Sequence, residues 1–373
     1  VSGPNLIAVE VHQCNLASTD ILFGSAMIAQ IPSYEIVYVE SPQLEYTVQG
    51  QYIIFSWNAP GFFLQQNPDL SPQILVLEQT GEHSKTLETV SWLCESLLKN
   101  GASRKSLLIV LGGGIACDLG GFAASIFMRG MSFIHIPTTL LAMVDASSGG
   151  KTGVNFLGNK NMLGVFQQAS AVLIYPPFIQ TLTETELISG FAEVIKHALL
   201  SGDEQWEFIQ QIYPLKYSQW DELIRENVLF KKRITDLDFQ EKGVREQLNL
   251  GHTFGHAFEA FSESKNVHFP HGFAVASGIL AELILSKNTG FLKHPELIEE
   301  FNQYYRRYFH PFLFGESDIP ALIEFMKVDK KNTSGQITFC LLETPGIVHY
   351  QQAPAEDQIL IALHQYLVYA RRS

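Results

Sequence analysis

A chain of 373 residues has room for two domains, each with its own core. It is 46% apolar and 17% charged, a globular composition that excludes a disordered chain. A formal net charge of -13 argues against nucleic acid or an anionic membrane as partner, yet leaves room for a local basic pocket that takes an anionic metabolite.

Residues 36–39 are a short strand candidate ending at Glu40. An acidic residue there can hold ribose hydroxyls in a nucleotide-binding fold, although a plain surface carboxylate is the commoner outcome. Residues 41–72 are irregular and rich in Gln, Pro and aromatics, with a strand candidate at 52–55. A further strand at 74–77 leads through Gly81–Thr86 into a helix with Leu87, Val90, Leu93 and Leu97 on one face.

The clearest buried strand is 107–111. It runs into Gly112-Gly113-Gly114, then Asp118, then Gly120-Gly121 in a helix of small residues. Glycines let a backbone approach an anion, and free N–H groups at a helix start stabilise it. The run is not GxGxxG, and a glycine triplet also makes a ligand-free turn. The strand before it and the helix after it make a dinucleotide site an equal alternative. The next strand, 133–136, ends in Pro137-Thr138-Thr139, whose hydroxyls suit a cofactor.

Residues 145–155, DASSGGKTGVN, contain GGKTG but lack the first glycine of a P-loop, so Walker A is rejected. What remains is a glycine-rich loop with Asp145 and Lys151, suited to an anionic or polyol ligand. Asn159-Lys160-Asn161 adds donors, and 172–174 is the last strand of this half.

From about residue 180 the periodicity turns helical, which puts a boundary between an α/β domain (1–179) and a mostly helical domain (180–373). Thr183 and Glu186 form a capping-box pair. The helix they open carries Glu193 and Lys196 on one face, with apolar residues nearly all round. Both charges are therefore expected to be buried, and buried charges need partners or a metal. Lys231, Glu241, Arg245 and Asn249 lead into LNLGHTFGHA, where His252 and His256 stand four apart. On one helix face two imidazoles can share a metal, or divide ligand and acid/base roles, or be hydrogen-bonded core residues. His268 and His271 precede an apolar helix at 274–285. Residues 286–320 carry no chemical signal. Asp329-Lys330-Lys331-Asn332 precedes a strand pair at 337–342 and 346–348.

Glu193, His252 and His271 make a three-ligand set with a coordination position open to substrate; one carboxylate and two neutral imidazoles suit zinc or a similar divalent ion. Such a metal polarises a hydroxyl or carbonyl. Beside a dinucleotide, that is metal-assisted hydride transfer at an alcohol carbon. Lys151, Lys196, Lys231, Arg245 and one or both of Lys330 and Lys331 are many cations for an acidic protein, which points to a multiply anionic substrate.

Several long motifs now stand in order: GGGIACDLGGFAASIFMRG, IPTTLLAMVDASSGGKTGVN, NKNMLGVF, TLTETELISGFAEVIK, EKGVREQLNLGHTFGHAFE, HGFAVASG and DKKNTSG. From about Gly81 to Gly346 the chain resembles the 3-dehydroquinate synthases of the sugar phosphate cyclase superfamily; residues 1–80 match poorly. The resemblance implies an α/β NAD-binding domain followed by a mostly α-helical metal-binding domain. It implies conversion of 3-deoxy-D-arabino-heptulosonate 7-phosphate to 3-dehydroquinate and phosphate, a step towards chorismate. In that family the C5 alcohol is oxidised by NAD, phosphate is eliminated, the ketone is reduced back, and an intramolecular aldol step closes the ring. Oxidation acidifies the neighbouring C–H, which is why a redox-neutral lyase needs a redox cofactor.

Carried over by motif, Glu193, His252 and His271 hold the metal, zinc or cobalt, and His256 is the acid/base histidine on the phosphate side. Lys151, Asn161, Asn249, Lys330 and Lys331 resemble phosphate-side contacts. Arg129 resembles a residue that reaches the partner subunit's phosphate site, which implies a homodimer. Lys231 and Arg245 resemble the carboxylate clamp, Asp145 and Lys196 the partners of sugar hydroxyls, and Glu241 joins the substrate-binding group. For NAD the matching positions are Glu40, Glu82, Lys85, Gly113, Gly114, Asp118, Thr138, Thr139, Lys160, Phe178, Thr181, Leu182 and Glu186.

The sequence departs from the family in places. The usual HGE reads His271-Gly272-Phe273, and phenylalanine cannot supply a carboxylate to a ligand histidine. That makes His268 a rival ligand. Tyr175 and Ala169 stand where Asp and Pro are usual. Other cyclases of the superfamily take substrates without a carboxylate and differ at the clamp, where Arg245 and Asn249 fit dehydroquinate synthase. Metal-dependent glycerol and alcohol dehydrogenases would produce net NADH, and a non-catalytic relative would not keep this site. The four cysteines form no CxxC pair, no basic-then-apolar leader opens the sequence, and no apolar run approaches the roughly 20 residues of a membrane span, so a cytoplasmic protein is expected.

Overall fold

The computed structural model describes residues 35–39, 51–56, 61–78, 81–328 and 336–371. The chain divides into two compact units, Val1–Thr181 and Leu182–Ser373.

The described strands of the first unit are β1 (Glu35–Tyr38), β2 (Tyr52–Ser56), β3 (Gln73–Val76), β4 (Leu107–Gly112), β5 (Ser132–Pro137), β6 (Lys151–Phe156), β7 (Asn159–Phe166) and β8 (Ala171–Ile174). Its helices are α1 (Gly61–Gln66), α2 (Leu87–Lys99) and α3 (Gly114–Ile126). Six strands form one sheet in the order β1-β8-β5-β4-β2-β3, with every neighbouring pair parallel. Parallel strands covered on both faces read as unbroken apolar runs, and every residue of β4 is buried. Thr86 caps α2 by accepting from Thr89 N at 3.2 Å, and Val90, Leu93 and Leu97 face inward, while Leu87 stays exposed.

Strand order reverses beside β4: β2 continues outward to β3, whereas β4 continues the other way to β5. Ligands of open α/β sheets bind at such a switch, beyond the carboxyl ends of the strands. The loop leaving β4 there is Gly112-Gly113-Gly114. Helix α3 then runs tightly between sheet and hairpin. A Cβ on Gly120 would lie 2.5 Å from the Val110 side chain, and one on Gly121 would lie 2.5 Å from Thr152.

Residues 145–155 are less of a loop than their composition indicates. A π-turn, Ala142–Ala146, carries Asp145; Gly149 and Gly150 bend the chain at φ 87° and 71°; β6 then pairs antiparallel with β7. Gly153 and Gly164 face each other in that hairpin, and a Cβ on either would run into the opposite backbone. The glycines that read as loop are thus required by close strand approach.

The described elements of the second unit are α4 (Glu184–Ser201), α5 (Asp203–Gln210), α6 (Trp220–Leu237), α7 (His252–Ser264), α8 (His271–Asn288), α9 (Glu296–Tyr308), α10 (Ile319–Val328), the antiparallel pair β9 (Phe339–Thr344) and β10 (Ile347–Gln352), and α11 (Glu356–Arg371). Helix α8 is buried from Gly272 to Ser286, and α4, α7, α9 and α11 pack around it. A helix that is apolar on all sides belongs at such a centre. Between α7 and α8 there is almost no side chain: a Cβ on Gly278 would overlap Gly251 O, and one on Gly255 would lie 3.0 Å from Ala274 O. At the start of α8, Gly272 N donates to Ser189 Oγ at 3.0 Å, bringing that end against α4 one turn before Glu193. The capping box at α4 is complete, with Thr183 N donating to Glu186 Oε2 at 2.9 Å and Glu186 N to Thr183 Oγ1 at 3.3 Å.

Candidate active site

In the second unit, Glu193 projects from α4, while His252 and His271 are the first residues of α7 and α8. One ligand atom from each lies within 4.8 Å of the others. Glu193 is fully buried; its Oε1 lies 3.3 Å from His271 Nε2 and 3.7 Å from His252 Nε2. The far nitrogens are engaged elsewhere: His252 Nδ1 donates to Leu250 O and His271 Nδ1 to Glu259 Oε2, each at 3.1 Å. Both rings thus turn Nε2 towards one carboxylate, with the outer nitrogen held as in metal-binding histidines. A donor set of one oxygen and two nitrogens fits a zinc-like divalent ion.

Without such an ion the cluster holds its charge by ion pairing. Burial opposes ionisation of Glu193, but Lys196, then the hydrogen bond from His271 and the charges of both histidines, keep its carboxyl well below the usual range. Burial also opposes protonation of His271, yet the Glu259 charge and its bonds to Glu193 and Glu259 push it up to about 10. A metal held there would take the unprotonated Nε2 of His271. Lys196 Nζ closes on Glu193 Oε2, with both side chains buried.

His256, one turn after His252, is half-buried. Its ring centroid lies 5.3 Å from that of His252 and 6.3 Å from that of His271. It stands beside the ligand cluster and outside the ligand set. Helix α6 brings a buried Lys231, and the 3-10 turn Val244–Asn249 brings a buried Arg245; both elements pack on α4. Asp238 builds the bend before that turn by accepting from Lys242 N, Gly243 N and Arg245 N at 2.9, 2.8 and 3.1 Å. Slight burial opposes its charge, but those three N–H groups and the nearby Arg245 lower its pKa. Arg245 also donates through Nη1 to Phe239 O at 2.6 Å, and Asn249 Nδ2 donates to Glu241 Oε1 at 3.1 Å.

In the first unit, Gly113 caps α3 and Gly114 opens it, with no side-chain hydrogen bond at the cap. The first N–H groups of a helix have no partner within it. Cβ atoms on Gly113 and Gly114 would lie 3.1 Å from Thr139 and Ala146, tighter than ordinary contact, so glycine keeps this backbone uncrowded. It fits the pyrophosphate of a dinucleotide. Thr138 and Thr139 follow β5 beside it; Thr138 N donates to Gly112 O at 3.0 Å, and Thr139 Oγ1 accepts from Ala142 N at 3.2 Å.

Asp118, on the next turn of α3, pairs with the buried Lys85 at 2.5 Å. Lys85 Nζ lies 4.0 Å from Glu82, and Glu82 Oε1 accepts from Asn155 Nδ2 at 2.8 Å. Burial works against the Lys85 charge, but Asp118 and then Glu82 overcome it and raise its pKa. Asp145, Lys151, Lys160 and Asn161 are half-buried on the π-turn and hairpin. Phe178 stacks edge-on with Tyr175 at 5.1 Å, and its carbonyl accepts from Thr181 Oγ1 at 2.7 Å. Arg129 is exposed on a corner where Met128, Arg129 and Gly130 all have positive φ, at 50°, 67° and 115°. Leu182 and Glu186 belong to the second unit, where the Glu186 carboxylate completes the capping box.

Glu40, Lys330 and Lys331 lie outside the described residues. His268 is exposed and stands apart from the Glu193 cluster. Sequence reasoning missed three polar residues. Glu259, one turn after His256, supplies the carboxylate that Phe273 cannot, and no local spacing pointed to it because its partner, His271, stands on the next helix. Glu282 accepts from Gly251 N at 2.7 Å at the start of α7 and is also buried. Asn155 spans two parts of the first unit's site.

Two family models match in sequence, the 3-dehydroquinate synthase N-terminal model over residues 75–189 and the 3-dehydroquinate synthase C-terminal model over residues 190–332. A 3-dehydroquinate synthase of Parabacteroides distasonis is 42% identical over 296 residues, covering 79% of this chain and 83% of its own. One from Legionella pneumophila is 38% identical over 306 residues, 81% of each chain. Among solved structures, a 2-epi-5-epi-valiolone synthase from Streptomyces hygroscopicus, with NAD+ and Zn2+ bound, shares the fold at a TM-score of 0.73 and 23% identity, covering 92% of this chain and 99% of that one. The chain belongs to the 3-dehydroquinate synthase family.

Proposed function

We propose that this protein is a 3-dehydroquinate synthase, a carbon–oxygen lyase that converts 3-deoxy-D-arabino-heptulosonate 7-phosphate to 3-dehydroquinate and phosphate. The observation that carries this reading is the convergence of Glu193, His252 and His271 in a family member, with Lys196 paired to the same carboxylate. Glu193, His252 and His271 would hold zinc or cobalt, and the unit Val1–Thr181 would hold NAD over Gly113 and Gly114, with Glu82, Lys85, Asp118, Thr138, Thr139 and Lys160 around it. Bound together, the two supply a Lewis acid for a substrate oxygen and an acceptor that takes and returns a hydride.

The chain's own residues bind, orient and move protons. The planar guanidinium of Arg245 takes the substrate carboxylate, with Lys231 as second cation. In the first unit Lys151 and Asn161 are phosphate-side residues and Asp145 is a partner for a sugar hydroxyl; in the second, Asn249 is phosphate-side and Lys196 a hydroxyl partner. His256 is the proton-transfer group at the phosphate end, because its neighbour His252 is committed to the metal. Arg129 reaches a second copy of the chain, making the enzyme a homodimer. The positive-φ corner that carries it is costly backbone, of a kind found where a structure is under functional constraint. Phe156, Leu157 and Phe166 expose apolar surface on the β6–β7 hairpin, consistent with such a partner. Cys94, Cys117 and Cys340 form no disulfide among the described residues, which suits the reducing cytoplasm, and no described helix is long and apolar enough to cross a membrane.

The test is to incubate the protein with zinc or cobalt, NAD and the heptulosonate phosphate, and to assay phosphate, dehydroquinate and NADH. Equal phosphate and dehydroquinate without net NADH is the expected result. Net NADH would indicate a dehydrogenase. Phosphate released only from glucose 6-phosphate or sedoheptulose 7-phosphate would indicate another cyclase of the superfamily. His256→Ala should keep its metal and lose turnover.

A further inference from the structure

Asn155 makes three hydrogen bonds that join separate parts of the first unit. Its backbone N donates to Lys85 O at 2.8 Å. Its Nδ2 donates to Glu82 Oε1 at 2.8 Å, and its Oδ1 accepts from Asn161 N at 2.9 Å. The hairpin is built to allow this. Between the pairs Val154–Leu163 and Phe156–Asn159 the register breaks, so that Asn155 alone stands against residues 160–162. Such a bulge lifts backbone groups out of the ladder and re-aims side chains. It contains Lys160 and Asn161, and Asn161 has φ 51°, a left-handed conformation that Asn tolerates. The Asn155 oxygen accepts from the backbone N–H of that residue. The other end of the same amide holds the carboxylate of Glu82, whose neighbour Lys85 is tied to Asp118 on α3.

We propose that Asn155 is a positioning residue that sets the NAD side and the phosphate side of the site with one side chain. It aims Glu82 through its amide nitrogen and fixes the Asn161 bulge through its amide oxygen. The proposal rests on the function reading above, which assigns Glu82 to NAD and Asn161 to phosphate.

Two variants separate the ends of the amide. Asn155→Ala removes both bonds; the NAD dissociation constant and the KM for the heptulosonate phosphate should each rise about five- to tenfold, as expected for a lost hydrogen bond to a site residue. Asn155→Asp keeps an acceptor for Asn161 N but sets a second carboxylate against Glu82. Its NAD affinity should fall at least as far as in the Ala variant, while KM stays near wild type. Amide hydrogen exchange at Asn161, read without NAD or substrate, should speed up in Ala and stay protected in Asp. Equal shifts of both constants in the Asp variant, or an unchanged Asn161 exchange rate in the Ala variant, would overturn the proposal. Wild-type protein that binds no NAD would sink the function reading itself, whereas the Asn161 exchange result would still report on the amide.

Discussion

His271 is held from both sides: Nδ1 donates to Glu259 Oε2 at 3.1 Å while Nε2 lies 3.3 Å from Glu193 Oε1. The outer carboxylate orients the ring and raises the basicity of the inner nitrogen. Removing such a partner costs about 10- to 100-fold in metal affinity. Glu259→Ala should weaken zinc binding by that factor. Glu259→Gln, which keeps an acceptor without the charge, should fall between Ala and wild type. Competition against a chromophoric chelator measures both, and equal affinity in all three proteins would contradict the assignment.

Lys196 and Glu193 are buried against each other, so Lys196→Met leaves a carboxylate with less compensation. Breaking a buried pair from one side costs about 3–5 kcal/mol. Urea unfolding with chelator present should show a loss of about 3 kcal/mol, because His271 and His252 still face Glu193. Added zinc should recover part of that loss in the variant. An unchanged midpoint in chelator would show that the pair carries little stability.

His135 sits in β5 with its Nδ1 2.9 Å from Ser147 O. Burial pushes its pKa down from 6.5 to about 4, against backbone hydrogen bonds that favour the charged form. Between those values the unfolded chain binds a proton that the native chain does not, so stability falls as pH drops from 6.5 to 4. The depressed value corresponds to about 3 kcal/mol lost over that window. Stability against pH for wild type and His135→Leu, compared by slope, tests this; the variant should be flatter there.

Gly278 meets the backbone of Gly251, and a Cβ has no space there. Gly278→Ala should force α7 and α8 apart and cost about 1–3 kcal/mol or more. Because His252 opens α7, zinc affinity should fall with stability. Thermal melts and zinc titration of the same variant check both.

Much of the site was legible because its residues are unusual in their setting. Glu193 and Lys196 stood out as charges on an apolar helix, His252 and His256 as histidines at helical spacing, and His271 as a histidine just ahead of an apolar helix. The parallel strands were legible from unbroken apolar runs such as 107–111. The β6–β7 hairpin was not, since its paired glycines, Gly153 and Gly164, look like loop until the two strands are seen to touch. Glu259, Glu282 and Asn155 were not singled out either. Each acts through a partner distant in sequence or through a backbone group, and the residue's own type shows neither.

His252 and His271 are each the first residue of their helices, and helical side chains lean towards the N-terminal end. Both imidazoles therefore reach out beyond the positive ends of two helix macrodipoles. The negative charge that such ends favour is already in place as side-chain carboxylate: Glu282 accepts from Gly251 N ahead of α7, and Glu193 lies between the two rings.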